Sequence, residues 1–293
     1  MRAYLQLVRL PAVFTAMADI VLGFVLAHRT LSPLSEFIVL LGASTGLYLA
    51  GMVFNDFFDR ALDAVERPNR PIPSGHVSPH AAFVVGAALI AVGLSCASAA
   101  GGRAIAIAGA LAALILAYDG FFKKTVAGPL AMGGCRLLNV LLGASGAVVS
   151  DWKSPQIAVA VAMGIYVAGI TWFARQEAVR SSRSQLMGAT LVIHSGIVVL
   201  LVSLWAGWSS SEFEGRAAFA LLVVTALIDI RLARALSEPT SDRVQAAVKR
   251  LLLAIVLFDA TMIYGFTGNA TLACGTALLI VPAATLGRWI FIT

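Results

Sequence analysis

Charge is what this chain has least of. Only 12% of its 293 residues are Asp, Glu, Lys or Arg, against 59% hydrophobic, and its mean hydropathy is +0.89. A water-soluble chain carries about 25% charged residues, so this one has too little polar surface to cover a globule. The bilayer is left as its solvent. Cysteine is equally scarce: Cys96, Cys135 and Cys274 are odd in number, far apart and each set in an apolar stretch. That excludes a disulfide framework or a zinc site and leaves them as small packing residues. There is no repeat at a fixed period, no low-complexity tract and no polar stretch long enough for a soluble domain. Lys and Arg exceed Asp and Glu by 21 to 15. The excess lies in short connections between apolar runs, where it signals membrane topology rather than a nucleic-acid partner.

A spanning helix needs ~20 mostly apolar residues. Ten such runs are present, at 10–27, 37–56, 80–100, 103–121, 129–149, 157–175, 187–207, 216–235, 248–267 and 271–291. The spacing predicts an all-α, polytopic bundle filling residues 1–293 as a single integral-membrane domain. Arg2 and Arg9 before the first run suggest a signal peptide. That run, however, exceeds a typical apolar core, contains Asp19 and lacks a small-residue cleavage site, so it is read as a helix. Counted by alternate connection, sixteen Lys and Arg fall on the amino-terminal side and four on the other, with Arg136 inside run five. The positive-inside rule then makes both termini cytoplasmic. Asn269-Ala270-Thr271 matches a glycosylation acceptor but lies in the tight turn between runs nine and ten, and is read as chance.

One connection concentrates polar groups as no other does, from Gly51-Met-Val-Phe-Asn55-Asp56-Phe-Phe-Asp59-Arg60 through Asp63, Glu66, Arg67 and Arg70 to Ser74-Gly75. At ~100° per residue, Asn55, Asp59 and Asp63 lie at about 0°, 40° and 80°, a stripe roughly 12 Å long on one helix face. Oxygens so arranged repel one another unless a cation sits among them. Mg²⁺ suits them, because it takes hard oxygen ligands and shares them with a substrate's phosphates. The plainer alternative is that the acids pair with Arg60, Arg67 and Arg70.

Asn55-x-x-x-Asp59-x-x-x-Asp63, followed by Arg67-Pro68 and Arg70-Pro71-Ile-Pro73-Ser74-Gly75, resembles the first aspartate-rich motif of the UbiA superfamily of intramembrane prenyltransferases. Tyr118-x-x-x-x-Lys123-Lys124 looks like the family's tyrosine and basic pair. The resemblance covers runs one to nine. It implies nine transmembrane helices around a cavity open to the cytoplasm and to lipid, with residues 271–291 an additional helix outside the bundle. It further implies that Mg²⁺ bridges aspartates to an isoprenyl diphosphate, and that an acceptor, aromatic by analogy, takes the prenyl group.

The family's second pair of aspartates has no counterpart. Its place holds Thr171-Trp-Phe-Ala-Arg175-Gln-Glu177-Ala-Val-Arg180-Ser-Ser-Arg183, with one acid among three arginines. This string and Gly134-Cys-Arg136-Leu-Leu-Asn139 most resemble the EboC branch. A leaving diphosphate can be neutralised by metal ions or by Arg and Lys. Arg175, Arg180 and Arg183 with Lys123 therefore either replace a second Mg²⁺, anchor the helix end, or mark a site that no longer catalyses. On the enzyme reading Asp59, Asp63 and Lys123 are catalytic, and Asn55, Asp59, Asp63 and Glu177 hold the metal. Asn55, Tyr118, Arg136, Asn139, Arg175, Glu177, Arg180 and Arg183 contact substrate.

Asp19, Arg136, Asn139, His194, Asp229 and Asp259 also lie inside apolar runs, where each needs a partner or a wet cavity. Arg136 and Asn139 share a face and either line the acceptor pocket or tie helices together through Asp19 or Asp259. His194 reads as a hydrogen-bonding residue. Aromatic side chains gather at the polar ends, among them Phe54, Phe57, Phe58, Tyr118 and Trp172. Their π faces suit an allylic cation, and also a membrane interface. Three functions compete: a prenyl-transferring enzyme; a non-catalytic relative that binds or hands on an isoprenoid or aromatic precursor, possibly for export; and an ion-coupled transporter using Asp19, Asp229 and Asp259.

Overall fold

The computed structural model describes residues 2–146, 154–176, 182–206 and 211–289, and among these every regular element is helical. A short α1 (Arg2–Leu7) and a 3-10 turn (Leu10–Ala12) lead into α2 (Val13–His28), α3 (Leu34–Glu66), α4 (Pro79–Ala100) and α5 (Gly102–Ala117). A π turn, Tyr118–Phe122, ends α5. Then come α6 (Gly128–Gly143), α7 (Ser154–Phe173), α8 (Arg183–Trp205), α9 (Ser211–Ser237), α10 (Ser241–Thr267), α11 (Ala270–Ala277) and α12 (Ile280–Trp289).

The first nine apolar runs each map to one long helix, but the helices differ in how completely they meet the demands of lipid. Five are long and apolar enough to cross a membrane: Leu34–Glu66, Pro79–Ala100, Gly102–Phe122, Pro155–Phe173 and Arg183–Trp205. α2 and α6 have 16 residues each, and α6 carries Arg136. α9 and α10 have 27 residues each but include Asp229 and Arg231, and Lys249, Arg250 and Asp259. The tenth run is broken near Leu278 into α11 and α12. α11 packs on α10, and α12 packs on the Leu10–Ala12 turn and α2.

α3 sets the height of everything polar. Its 33 residues make a rod about 50 Å long, whereas the hydrocarbon of a bilayer is about 30 Å thick. The 22 residues from Leu34 to Asn55 account for about 33 Å. Asn55 therefore falls where the apolar span ends, and Asp59 and Asp63 ride on the overhang. Ser78 stops the following loop by accepting a hydrogen bond from the Ala81 amide, with Pro79 in the first helical turn. Leu7, Val53, Ile72, Val77 and Ala82 form a small apolar cluster that seats α1 and this loop at the overhang end.

α6 is drawn in between α2 and α7 by small residues. A Cβ on Gly23 would lie 2.1 Å from the Val140 carbonyl oxygen, and one on Gly133 would lie 2.4 Å from that of Gly164. Only glycine permits these approaches. They bring Arg136 and Asn139 against α2, between one core built on α7 to α10 and a second built on α2 to α6.

Candidate active site

Two rungs join α3 to the end of α5. Asn55 Nδ2 donates to Asp119 Oδ1 at 3.0 Å, and Lys123 Nζ pairs with Asp59 Oδ2. On each side the partners are four residues apart, so α3 and the π turn run in parallel register. The turn is closed by the Lys123 amide donating to the Tyr118 carbonyl at 2.9 Å, an i to i+5 bond. That extra residue per turn carries Tyr118 and Lys123 to one side despite their five-residue spacing.

A third connection comes from the loop after α3. Arg70 Nη1 lies 2.7 Å from Asp63 Oδ2 and 3.2 Å from Asp56 Oδ1. Asp56, whose side chain is 4% exposed, also receives Arg9 Nη2 at 2.6 Å. Arg9 has a left-handed backbone (φ 44°) in the step between α1 and the 3-10 turn. Of the three loop arginines, only Arg70 pairs with an acid among the described residues. Arg60 instead lies over the Phe57 ring and donates to the Phe57 carbonyl.

Behind the rungs is a cavity of ≈ 330 Å³ between α2, α3, α5, α6, α7 and α10. Asn55, Tyr118 and Asp119 line it at the overhang end, and Ser44, Arg136 and Asn139 line it at depth. Asp119 is the one carboxylate on its wall among the described residues. Most of the deep polar groups pair with one another, although Asp19 Oδ1 has no hydrogen-bond partner among the described residues. Arg136 Nε lies 2.8 Å from Asp19 Oδ2, and its Nη2 donates to the Thr15 carbonyl at 3.0 Å. Asn139 donates to Asp19 Oδ2 at 2.8 Å and to the Ala16 carbonyl at 3.0 Å, and accepts from the Ser44 hydroxyl at 2.7 Å. Arg136 ties α6 to α2 and also lines the cavity. Asp259 is buried beside Asp19, and neither of its carboxyl oxygens meets a donor among the described residues.

The expected site residues thus fall into three groups. Asn55, Asp59, Asp63, Tyr118 and Lys123 meet at the overhang, and Arg136 and Asn139 meet at the cavity's depth. The end of α7 is only partly joined to them. Thr171 and Ala174 line the cavity where the resemblance implies aspartates, while Arg175 Nη2 reaches the Lys124 carbonyl at 3.5 Å. Arg183 turns elsewhere, donating to the Ser237 carbonyl at the end of α9 at 2.6 Å. Glu177 and Arg180 lie outside the described residues. A relay through Asp19, Asp229 and Asp259 is not gathered, because Asp229 is paired with His194 at 3.0 Å between α8 and α9. Sequence reasoning missed Asp119, Asp56 and Arg9. The signal for Asp119 was an acid at the end of an apolar run, four residues before Lys123.

Among the described residues no three His, Cys, Asp or Glu side chains are gathered closely enough to hold a metal ion by themselves. Two carboxylates and an amide oxygen on one face instead fit an ion that brings its own ligands, as Mg²⁺ does when it arrives hydrated and bound to phosphate.

The sequence profile of the UbiA prenyltransferase family matches residues 16–258. The chain belongs to that family. With its five apolar helices, UbiA membership makes it an integral, multi-pass membrane protein. Among similar proteins are the digeranylgeranylglyceryl phosphate synthases of Methanopyrus kandleri and Saccharolobus solfataricus. The first is 33% identical over 154 residues, 49% of this chain and 54% of that protein. The second is 30% identical over 154 residues, 52% and 54% of the two chains. The chain spans about half the length of these curated relatives. A UbiA homolog from Archaeoglobus fulgidus, solved bound to GPP and Mg²⁺, superimposes with a TM-score of 0.71 at 15% identity, over 94% of this chain and 99% of that one. Another from the same organism, bound to DMAPP and Mg²⁺, gives 0.65 at 15% identity, over 86% and 98%. At these identities the structural likeness is one of fold. The match is to the UbiA family as a whole and does not reach down to the EboC branch.

Proposed function

We propose that this UbiA family member transfers a prenyl group from an isoprenyl diphosphate to an acceptor held in the ≈ 330 Å³ cavity. The observation that carries the reading is the pair of neutralised contacts, Lys123 with Asp59 and Arg70 with Asp63, next to a cavity that Asn55 lines. A diphosphate and its metal can enter such a set without net accumulation of charge. The carboxylates of Asp59 and Asp63 would hold the metal, and the Lys123 ammonium and Arg70 guanidinium would donate to phosphate oxygens. Mg²⁺, when bound, supplies Lewis-acid stabilisation of the leaving diphosphate. Lys123, Arg70 and Arg9 add fixed positive charge as the C1–O bond breaks. The Tyr118 ring faces the allylic carbon, and the acceptor attacks that carbon from the cavity, releasing its proton. The sixteen-to-four charge split supports a site facing the cytoplasm.

The acceptor is aromatic on this reading. Arg136 is the one cation on the cavity wall among the described residues, and Asp19 already neutralises it. That favours an uncharged ring over a phosphate-bearing acceptor of the kind suggested by the relatives' name. One observation favours a second reading, a carrier that binds an isoprenoid without reacting: Thr171 and Ala174 occupy the cavity wall where the family resemblance implies aspartates. Purified protein in lipid nanodiscs, given labelled geranyl or geranylgeranyl diphosphate with Mg²⁺ and either aromatic or glyceryl phosphate acceptors, separates these cases. Transfer to the aromatic acceptor is expected. Transfer to the glyceryl phosphate alone would overturn the acceptor assignment, and Mg²⁺-dependent binding with no turnover on any acceptor would establish the carrier.

A further inference from the structure

We infer that Asp119 is a positioning residue that fixes which way the Asn55 amide faces, so that Asn55 presents its oxygen to the metal–diphosphate site. The inference deepens the proposed function and rests on it.

The argument begins with the chemistry of the two side chains. An amide is two-sided, with an acceptor oxygen and a donor NH₂ separated by a rotation of about 180° that costs little in open space. Only the oxygen side is of use to a hard cation. An Asn on a metal-binding stripe is therefore correct in one rotamer and useless in the other, unlike Asp59 and Asp63, whose two oxygens are equivalent. Something must choose, and a carboxylate can do so when it is ionised. Ionised, it accepts hydrogen bonds and cannot donate them, so a neighbouring amide can meet it only through nitrogen.

The structure has this arrangement. Asn55 Nδ2 donates to Asp119 Oδ1 at 3.0 Å, and Asn55 Oδ1 is left without a donor among the described residues. Asp119 is buried, with 9% relative exposure, and lies in the π turn, whose register with α3 is held one rung further on by Lys123 and Asp59. Both Asn55 and Asp119 line the cavity. The pair therefore stands where the acidic stripe meets the space for the reacting groups. Three acids on α3 beside it are already committed: Asp56 to Arg9 and Arg70, Asp63 to Arg70, and Asp59 to Lys123. Asp119 alone is committed to an amide. Residues that orient metal ligands in this way typically matter by 10–100-fold in metal affinity.

The test exchanges the two residues. In Asp119→Asn the new amide can either accept from Asn55 or donate to it, so both Asn55 rotamers become available. In Asp119→Leu the choice is lost altogether. In Asn55→Asp two carboxylates face one another. In the double exchange, Asn55→Asp with Asp119→Asn, the hydrogen bond returns with donor and acceptor reversed. Net charge is as in the parent protein, and a carboxylate oxygen again faces the site. Mn²⁺ binding to purified protein in nanodiscs, with geranyl thiolodiphosphate as an unreactive partner, is read from the loss of the free-ion EPR signal. Each single variant is expected to bind Mn²⁺ about 10-fold more weakly. The double exchange is expected to recover most of that loss.

Wild-type affinity in Asp119→Leu and Asp119→Asn overturns the inference. So do weakened singles with no recovery in the exchange, because Asp119 would then act as a ligand or as packing. Asp119→Asn keeps the test readable if Asp119→Leu fails to fold. Asp59→Ala, measured alongside, separates the two levels: if it binds Mn²⁺ and thiolodiphosphate as the parent does, the proposed function fails. If it loses both while the exchange shows no coupling, the Asp119 inference alone fails.

Discussion

Replacing Lys123 with Met should change two affinities in opposite directions. Before substrate arrives, Lys123 Nζ occupies Asp59 Oδ2, with the two side chains 28% and 12% exposed. An incoming cation must compete with that ammonium. Fully exposed ion pairs are worth about 0.2–1 kcal/mol, and unit charges 4 Å apart at an effective dielectric of 20 interact by about 4 kcal/mol. A half-buried pair falls between, at about 2 kcal/mol, or roughly 30-fold in an equilibrium constant at 1.4 kcal/mol per decade. Lys123→Met should therefore bind Mg²⁺ or Mn²⁺ alone roughly 30-fold more tightly. With isoprenyl diphosphate present, the same change removes a cation from the phosphates, and diphosphate affinity should fall by a similar factor. Turnover should fall further, by about 10²-fold, because the ammonium opposes charge that grows as the C1–O bond breaks. Isothermal titration calorimetry with metal alone, then with geranyl thiolodiphosphate at saturating metal, reads both arms. If metal-only binding weakens, Lys123 does not compete for Asp59 and the charge-exchange argument is refuted.

Three further outcomes are expected. Arg136→Met strands the buried Asp19 carboxylate and should cost about 3–5 kcal/mol of stability in detergent unfolding, whereas pairing it with Asp19→Asn should recover much of that; an undestabilised single variant would contradict the buried ion pair. Gly133→Ala forces a methyl group toward the Gly164 carbonyl and should lower stability by about 1–3 kcal/mol, while Gly109→Ala, with open space around it, should stay within about 0.5 kcal/mol in the same thermal assay. Asp56→Ala releases Arg9 and Arg70 from their shared anchor, so amide hydrogen exchange across residues 67–77 should speed up and diphosphate should bind about 10-fold more weakly; unchanged exchange would mean that the loop is held by its apolar cluster alone.

The sequence carried the helices and the acidic stripe because both are local. Apolar runs and a four-residue spacing on α3 can be read without knowing what packs against them. It did not carry the partners. Asp59 pairs with Lys123 and Asn55 with Asp119 across 64 positions, and only the folded register of α3 and α5 brings them together. Arg70 was visible as a nearby counter-charge, but its bridge between Asp63 and a buried Asp56 depends on the loop folding back over α3. Arg183 looked like part of the same basic set as Arg175, and the structure sends it to α9 because a helix end leaves carbonyl groups seeking donors. The tenth run falls on α11 and α12, and the break between them near Leu278 is not visible in its apolar length.

The π turn at Tyr118–Phe122 means that α5 carries one residue more than an α-helix would need to reach the same place. Deleting a residue from that turn, Gly120 for example, would let ordinary α geometry take over without breaking the chain's path to α6. Whatever follows would keep its orientation, because an i to i+5 turn absorbs one extra residue. Deleting a residue from the regular part of α5 would instead rotate Lys123 by about 100°, off the face that meets Asp59, although no side chain in the site had been altered. Alignment of this stretch by residue identity alone would miss such a change, because the site depends on how many residues lie between its contacts as much as on which ones they are. Insertions and deletions here act on the chemistry as directly as substitutions do.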